Sequence, residues 1–556
     1  MKRSGRAGKG FRPDFWFFMK CLVFLLLIVF LLYPFSTLIY RSFFAKDVPG
    51  VTLSNFTKIF AKKFYYTALF NSLYVALIST VICTALGVPM AYVLTRYNIP
   101  GKKLVHILII MSLLSPPFIG AYAWIMLFGR SGFITMLVSK YLGIELPTIY
   151  GKTGIVSVFV FKLYPYVYLY VSGALTTVDS SLEEAGESLG ANKLQRILSV
   201  SLPVVMPSIA AGALMVFMTA LGDFGTPQLI GEGYRVLSSQ IYKEYLSETG
   251  SNAYMASALS VVLVGCALLV LMLQKLYIAR KNYMMTSMRP PKEEQVHGWL
   301  RAILSAPVYL IILVSMLPQI TVTVCSFLPW NFTRFVKGFT FENYMIIFNR
   351  LGTNIKNTFV FSGVAIVVII LLGLVISYIV ARQRGIAGSL TDLLIMFPYV
   401  IPGSVLGICL IVAFNKEPLI LTGTAAIIVI SFIVRKLPFT VRSGAAYLYQ
   451  MDSGVEEASV SLGVSPMKTF FAVTARLMMP GMLSGAILSW IACINELSSS
   501  IMLYSGTTST IAVTIYTETF RNAHNTAAAL ATILTFTTVA ALTIFLKLSK
   551  GKVSVV

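Results

Sequence analysis

The chain has 556 residues, 57% of them hydrophobic and 12% charged, with a formal net charge of +23. Soluble domains carry about 25% charged residues, so a single aqueous core is excluded and much of this chain must face lipid. In a soluble protein such a charge would point to nucleic acid. Here the basic residues lie between apolar runs, so the expected partner is membrane lipid with an anionic cytoplasmic leaflet, and no nucleic acid. Each of the six cysteines (Cys21, Cys83, Cys266, Cys325, Cys409, Cys493) falls inside an apolar run and none forms a CxxC pair. They read as small buried hydrophobes rather than a zinc site or disulfide framework.

Residues 1–15 form a basic tail with Lys2, Arg3, Arg6, Lys9 and Arg12. The apolar stretch that follows is longer than a signal-peptide core of about 7–15 residues, and is expected to be a retained first span. Runs of spanning length, on the order of 20 residues, follow in order. The first half holds 16–40, 68–95, 104–128, 154–175, 205–222 and 254–277. The second holds 303–327, 357–381, 391–413, 422–443, 479–497 and 526–547. This predicts about twelve spans in an all-α integral membrane protein, with halves at 16–279 and 303–547. A polar, proline-broken linker occupies 280–302 and a tail 548–556.

With the N-terminus inside, the inner segments are short and basic: Arg96 to Lys103, the linker, Arg382-Gln383-Arg384, and the tail with Lys547, Lys550 and Lys552. The positive-inside rule therefore predicts a multi-pass protein with both termini cytoplasmic.

The chain repeats itself. Leu175 to Gly190 reads LTTVDSSLEEAGESLG and Leu448 to Gly463 reads LYQMDSGVEEASVSLG, an ungapped offset of 273. The same offset pairs Pro165 with Pro438, Pro207 with Pro480, Gly212 with Gly485, and acid with acid at Asp223 and Glu496. Upstream the offset is 286, pairing Gly87 with Gly373, Tyr92 with Tyr378, Arg96 with Arg382, and Pro116 with Pro402. An even number of spans per half makes these two parallel six-helix repeats about an axis along the membrane normal.

The best-matched stretch lies between the fourth and fifth spans of each half, at 177–204 and 448–478, on the cytoplasmic side of the expected topology. Asp179 and Ser180, like Asp452 and Ser453, suit a helix N-cap. Glu183, Glu184, Glu456 and Glu457 fall in the first turns, where the helix dipole favours acids. Ala185 and Ala458 keep the surface low, and Gly190 and Gly463 suit the turn past the helix end.

Glu184-Ala185-Gly186, Gly190 and then Val200-Ser201-Leu202-Pro203 resemble the EAA loop of ABC importer permeases. The second copy has Glu457-Ala458-Ser459, Gly463 and Val473. It replaces Leu-Pro by Ala475-Arg476, which leaves the exact turn after the second copy open and points to halves that are not equivalent at the partner interface. The resemblance covers essentially the whole chain. It is to the fused permeases of the ferric-iron importer group, and implies a type I ABC importer permease fold (MetI-like). Leu221-Gly222-Asp223-Phe224-Gly225-Thr226-Pro227 also looks like the ferric-iron type.

The resemblance implies a permease subunit that forms the translocation path and takes two copies of an ATP-binding subunit and an extracytoplasmic substrate-binding protein. The location would be the bacterial inner membrane. Asp179, Glu183, Glu184, Ala185, Leu189 and Gly190, with Asp452, Glu456, Glu457, Ala458, Leu462 and Gly463, would couple to the ATPase. Ferric iron is the first cargo expected. Related permeases of the group serve 2-aminoethylphosphonate, sugar phosphates or thiamine.

Asp223 and Glu496 end the fifth spans, and Lys162, Arg435 and Lys436 lie in the fourth. Acids at membrane depth default to function, yet a structural ion pair and snorkelling explain these charges as readily. Asn495, Pro116 and Pro402 complete the candidate path; helix breaks at Pro116-Pro117 and Pro398…Pro402 suit a cavity lining or simple kinks.

Gly151-Lys152-Thr153 echoes a phosphate loop, but Leu146 stands where a glycine is required. ATP and Mg are therefore expected on the partner, and with His106, His297 and His524 single and no clustered catalytic set, no enzyme site, cofactor or metal site is expected on this chain. The competing class is an ion-gradient-driven secondary transporter. It would favour more ionisable groups well within the spans than are found here.

Overall fold

The computed structural model describes residues 15–548 except 47, 114–116, 177, 247–251, 280–292, 332–334, 384 and 453. Most of the N-terminal tail, most of the linker, Pro116, Ser453 and the last eight residues therefore lie outside the described residues.

A chain in lipid must satisfy its backbone internally, and the described elements are helices apart from three isolated bridges. The first half comprises α1 (Phe15–Ser42), α2 (Lys63–Arg96), α3 (Lys102–Leu113), α4 (Pro117–Phe128), α5 (Lys152–Leu175), a short α6 (Ser180–Ser188), α7 (Leu202–Gly222), α8 (Gly225–Ile230), α9 (Leu237–Leu246) and α10 (Ala253–Ala279). The second half follows with α11 (Gly298–Ser326), α12 (Glu342–Arg382), α13 (Ile386–Val400), α14 (Gly403–Ala413), α15 (Ala425–Gln450), a short α16 (Gly454–Ser461), α17 (Ala475–Ile494), α18 (Ser500–Leu503), α19 (Ile511–Phe520) and α20 (His524–Leu548).

Among the described residues, ten helical stretches are long and apolar enough to cross a bilayer, and one bent pair adds an eleventh. The expected span at 422–443 is α15, a 26-residue helix made more polar by Arg435, Lys436 and Arg442. The expected third span of the second half is two helices. α13 and α14 bend by 109° at their junction. The cause is local: Pro402 disfavours helical backbone at the residue before it, and Ile401 is extended. The equivalent place in the first half, 114–116, lies outside the described residues; the spanning apolar stretch that follows it is Gly120–Leu142.

Each half is tied together where its second, fourth and fifth spans meet. A Cβ on Gly87 or Gly212 would come within 2.8 Å of Val167; the equivalent Gly485 would meet Thr440 Cα at 2.7 Å, and Gly373 meets the Thr440 side chain at 3.1 Å. Small residues let membrane helices approach closely enough to gain dispersion contacts. Thr440 adds a 2.7 Å hydrogen bond to Ser489.

The two halves interlock. α1 packs against α12, α13, α14 and α15, whereas α11 packs against α3, α4 and α5. The first span of each repeat therefore lies between the other repeat and the last span of its own, α10 or α20.

Candidate coupling helices and translocation path

α6 and α16 are built from the same local chemistry. The Asp179 carboxylate accepts from Ser181 N at 2.9 Å, and Asp452 accepts from Gly454 N at 2.9 Å. Each bond satisfies a helix N–H that has no partner within the helix. At the other end Gly190 and Gly463 take φ of +84° and +83°. The N–H of Gly190 reaches Glu187 O at 2.8 Å and that of Ala191 reaches Gly186 O at 3.0 Å; Gly463 and Val464 repeat the pattern on Val460 and Ser459. This double closure is the Schellman ending, which needs a residue at positive φ.

The exposed face is also repeated. Glu184, Ala185, Glu457 and Ala458 are exposed, and Leu189 and Leu462 are 88% and 84% exposed. An exposed leucine thus stands at the same place on both helices.

The inner face is anchored by residues that the repeat offsets had paired without assigning a role. Arg96, at the end of α2, holds Glu183 at 2.7 Å, and Arg382, at the end of α12, holds Glu456 at 3.5 Å. Glu183 also accepts from Ser201, and Glu456 accepts from the Tyr378 hydroxyl at 3.2 Å. The chain then enters the fifth span through a π-turn in both halves, at Ile197–Ser201 and Phe470–Thr474. The second copy's missing Leu-Pro thus leaves the backbone turn unchanged.

The inequivalence arises from the surroundings. Beside the first helix, the described end of the linker straps the end of α2 to the turn at Lys193 that follows α6. Glu294 pairs its backbone with the Tyr97 segment and its carboxylate with Lys193 at 2.5 Å, while Glu293 holds Lys102 at 2.6 Å. On the second, Trp16 of α1 stacks on Tyr378, with centroids 4.2 Å apart.

Deeper in the bundle the candidate path residues form two related clusters. Lys162 Nζ lies 3.3 Å from Asp223, whose carboxylate also accepts from Thr226 N at 3.1 Å. Arg435 and Lys436 both pair with Glu496, the latter at 2.6 Å, and Glu496 accepts from Ser499 N at 3.2 Å. Each acid therefore binds a cation from the fourth span and the backbone turn that follows the fifth. Pro402 joins them from the break, since a Cβ on Gly222 would meet its ring carbons at 3.2 Å. Asn495 turns elsewhere, donating to Ile491 O and Thr538. Among the described residues, no group of three or more His, Cys, Asp and Glu side chains is placed to hold a metal ion.

The model of the binding-protein-dependent transport system inner membrane component family matches twice, over residues 83–282 and 373–554. The chain is 29% identical over 504 residues to a putative ferric transport system permease protein, FbpB 1, of Haemophilus influenzae, covering 88% of this chain and 78% of that one. It is 27% identical to the ferric transport system permease protein FbpB of Actinobacillus pleuropneumoniae, covering 87% and 71%. A solved bacterial ABC transporter that imports alginate matches 48% of this chain and 94% of its own, at 17% identity and a TM-score of 0.40. With two family domains joined in one polypeptide, the chain belongs to the binding-protein-dependent transport system inner membrane components, as a duplicated multi-pass permease of an ABC importer.

Proposed function

We propose that this permease imports ferric iron, and that two copies of a separate ATP-hydrolysing subunit drive it, one docked on α6 and one on α16. The observation that carries the coupling is the duplicated helix: capped at Asp179 and Asp452, closed at Gly190 and Gly463, and anchored by Arg96 and Arg382. Each presents an exposed leucine outward and an arginine-held glutamate inward. A push on either helix passes through that ion pair to the second span and through the π-turn to the fifth. ATP and Mg act on the partner. Both termini, the linker and the two helices lie on the cytoplasmic side, and the repeats run from 16 to 279 and from 303 to 547.

Ferric iron is preferred as cargo because long relatives matched over most of both chains carry that name. The 2-aminoethylphosphonate, sugar-phosphate and thiamine readings belong to the same importer class. The ion-gradient reading has no support from the family. The deciding experiment co-expresses the permease with candidate ATPase and binding-protein subunits from the same genome. Iron uptake and a native mass with two ATPase subunits are expected. A complex with one ATPase subunit, or uptake of a different cargo by the cognate binding protein, would overturn the corresponding part.

A further inference from the structure

The two membrane-depth clusters differ by one charge. In the first half Lys162 and Asp223 balance. In the second, Glu496 faces both Arg435 and Lys436. At the 273 offset Arg435 stands for Lys162 and Glu496 for Asp223, whereas Lys436 stands for Leu163. Leu163 is a buried apolar residue, 1% exposed, so the scaffold at this position does not require a cation. Neither Arg435 nor Lys436 has a second carboxylate in ion-pair range among the described residues. Their side chains are 20% and 11% exposed. A cation without its counter-charge is costly in such a place.

One neighbour adds to the positive potential. α14 begins at Gly403, directly past the 109° break, and no side chain caps it. Its first N–H groups lack intrahelical partners and carry the positive end of the helix dipole. The Arg435 guanidinium lies against this turn, since a Cβ on Gly403 would fall 2.4 Å from Nη1. In the same turn Ser404 is fully buried and its hydroxyl has no partner among the described residues. A broken helix aiming its N-terminus at a site in the membrane is a known way to hold an anionic group. The site lies at the seam between halves: Gly222 packs on Pro402, and Tyr166 of α5 is within electrostatic range of Arg435.

We infer that Arg435, Lys436 and the first turn of α14 form a binding site for an anionic oxygen-bearing group of the cargo. This rests on the reading that the break at Pro402 lines the translocation path. A bare trivalent cation is repelled by the cluster's net charge, so ferric iron passes it in company with an anionic ligand. Phosphate and a carboxylate chelator share the chemistry the site recognises.

The first arm of the test uses the purified permease alone. Phosphate or citrate, compared with chloride at matched ionic strength, raises the unfolding temperature of the wild type by a few degrees. Lys436→Leu, which installs the first half's residue, loses that rise. A wild type with no anion-specific rise overturns the site, whatever the variants do. The second arm reconstitutes the permease with its ATPase and binding protein, and supplies radioactive iron with labelled phosphate or labelled citrate. Lys436→Leu is expected to lose roughly tenfold in uptake and Lys436→Arg to retain it; the label that accompanies iron identifies the ligand. Wild-type uptake by Lys436→Leu overturns the site. Failure of the wild type to import iron while the anion-specific rise persists overturns the ferric reading instead.

Discussion

Arg96 and Glu183 hold their charges 2.7 Å apart, although they are 87 residues apart in the chain and the arginine side chain is only 5% exposed. Their counterparts Arg382 and Glu456 meet at 3.5 Å with side chains 19% and 13% exposed. In both halves the bond joins the end of the second span to the helix proposed to receive the ATPase. A partner that moves that helix therefore moves a span.

Arg96→Met removes the cation and leaves Glu183, 23% exposed, with Ser201 for company. The expected cost is about 1–3 kcal/mol, the range for an unmatched partly buried polar group. ATP hydrolysis in the assembled complex continues while uptake falls, because the helix then moves without its span. Parallel assays of hydrolysis and uptake check this; proportional loss of both would point to a folding defect instead.

Gly190 and Gly463 meet nothing within 4 Å of an added Cβ, so a substitution there is opposed by backbone conformation and not by crowding within the chain. The left-handed conformation costs a bulky L-residue about 1–2 kcal/mol. Gly190→Val and Gly463→Val should each loosen the end of the helix and uncouple hydrolysis from uptake. Asn, which visits this conformation more readily, should restore most of the coupling. Equal transport by the Val and Asn variants would refute the conformational account.

Much of this arrangement was legible in the residues. The offset of 273 placed Asp179 with Asp452 and Gly190 with Gly463, and capping rules named their roles before any geometry. The offset of 286 paired Arg96 with Arg382, yet nothing in a single sequence says that an arginine at the end of one helix reaches a glutamate 87 residues away. That contact depends on how the second span packs beside the loop. The prolines at Pro398 and Pro402 marked an interruption in the second half's third span, but hydropathy carries no direction, so the 109° turn at the break was not legible. The exchange of α1 and α11 between repeats left no trace in apolar periodicity, since lipid and a neighbouring helix are equally apolar surroundings.

Glu496 supports more than Asp223 does. Glu496→Gln leaves Arg435 and Lys436 facing each other, and a guanidinium does not neutralise itself by losing a proton. Removing one partner of a buried ion pair costs about 3–5 kcal/mol. Asp223→Asn strands a single lysine, which has other ways to adapt. The unfolding midpoint in detergent should therefore fall further for Glu496→Gln, and Lys436→Leu added to it should recover part of the loss. A double variant less stable than Glu496→Gln alone would contradict the charge argument.

The strap and the stacked tryptophan predict that the two helices can be loosened separately. Trp16 is 5% exposed and stacks on Tyr378, whose hydroxyl donates to Glu456. Trp16→Ala removes a buried aromatic at a cost of about 3–5 kcal/mol, and Tyr378 then keeps only the edge contact with Phe470 to hold its orientation. Amide exchange should rise across Gly454–Ser461 while Ser180–Ser188 stays protected. Glu294→Ala should do the reverse, weakly, because its pair with Lys193 is exposed and such pairs are worth about 0–1 kcal/mol. The backbone pairing of Glu294 with the Tyr97 segment survives that change, so only a small rise in exchange is expected at the first helix. If Trp16→Ala loosened both helices equally, the two docking surfaces would be linked through the bundle rather than held by separate local contacts.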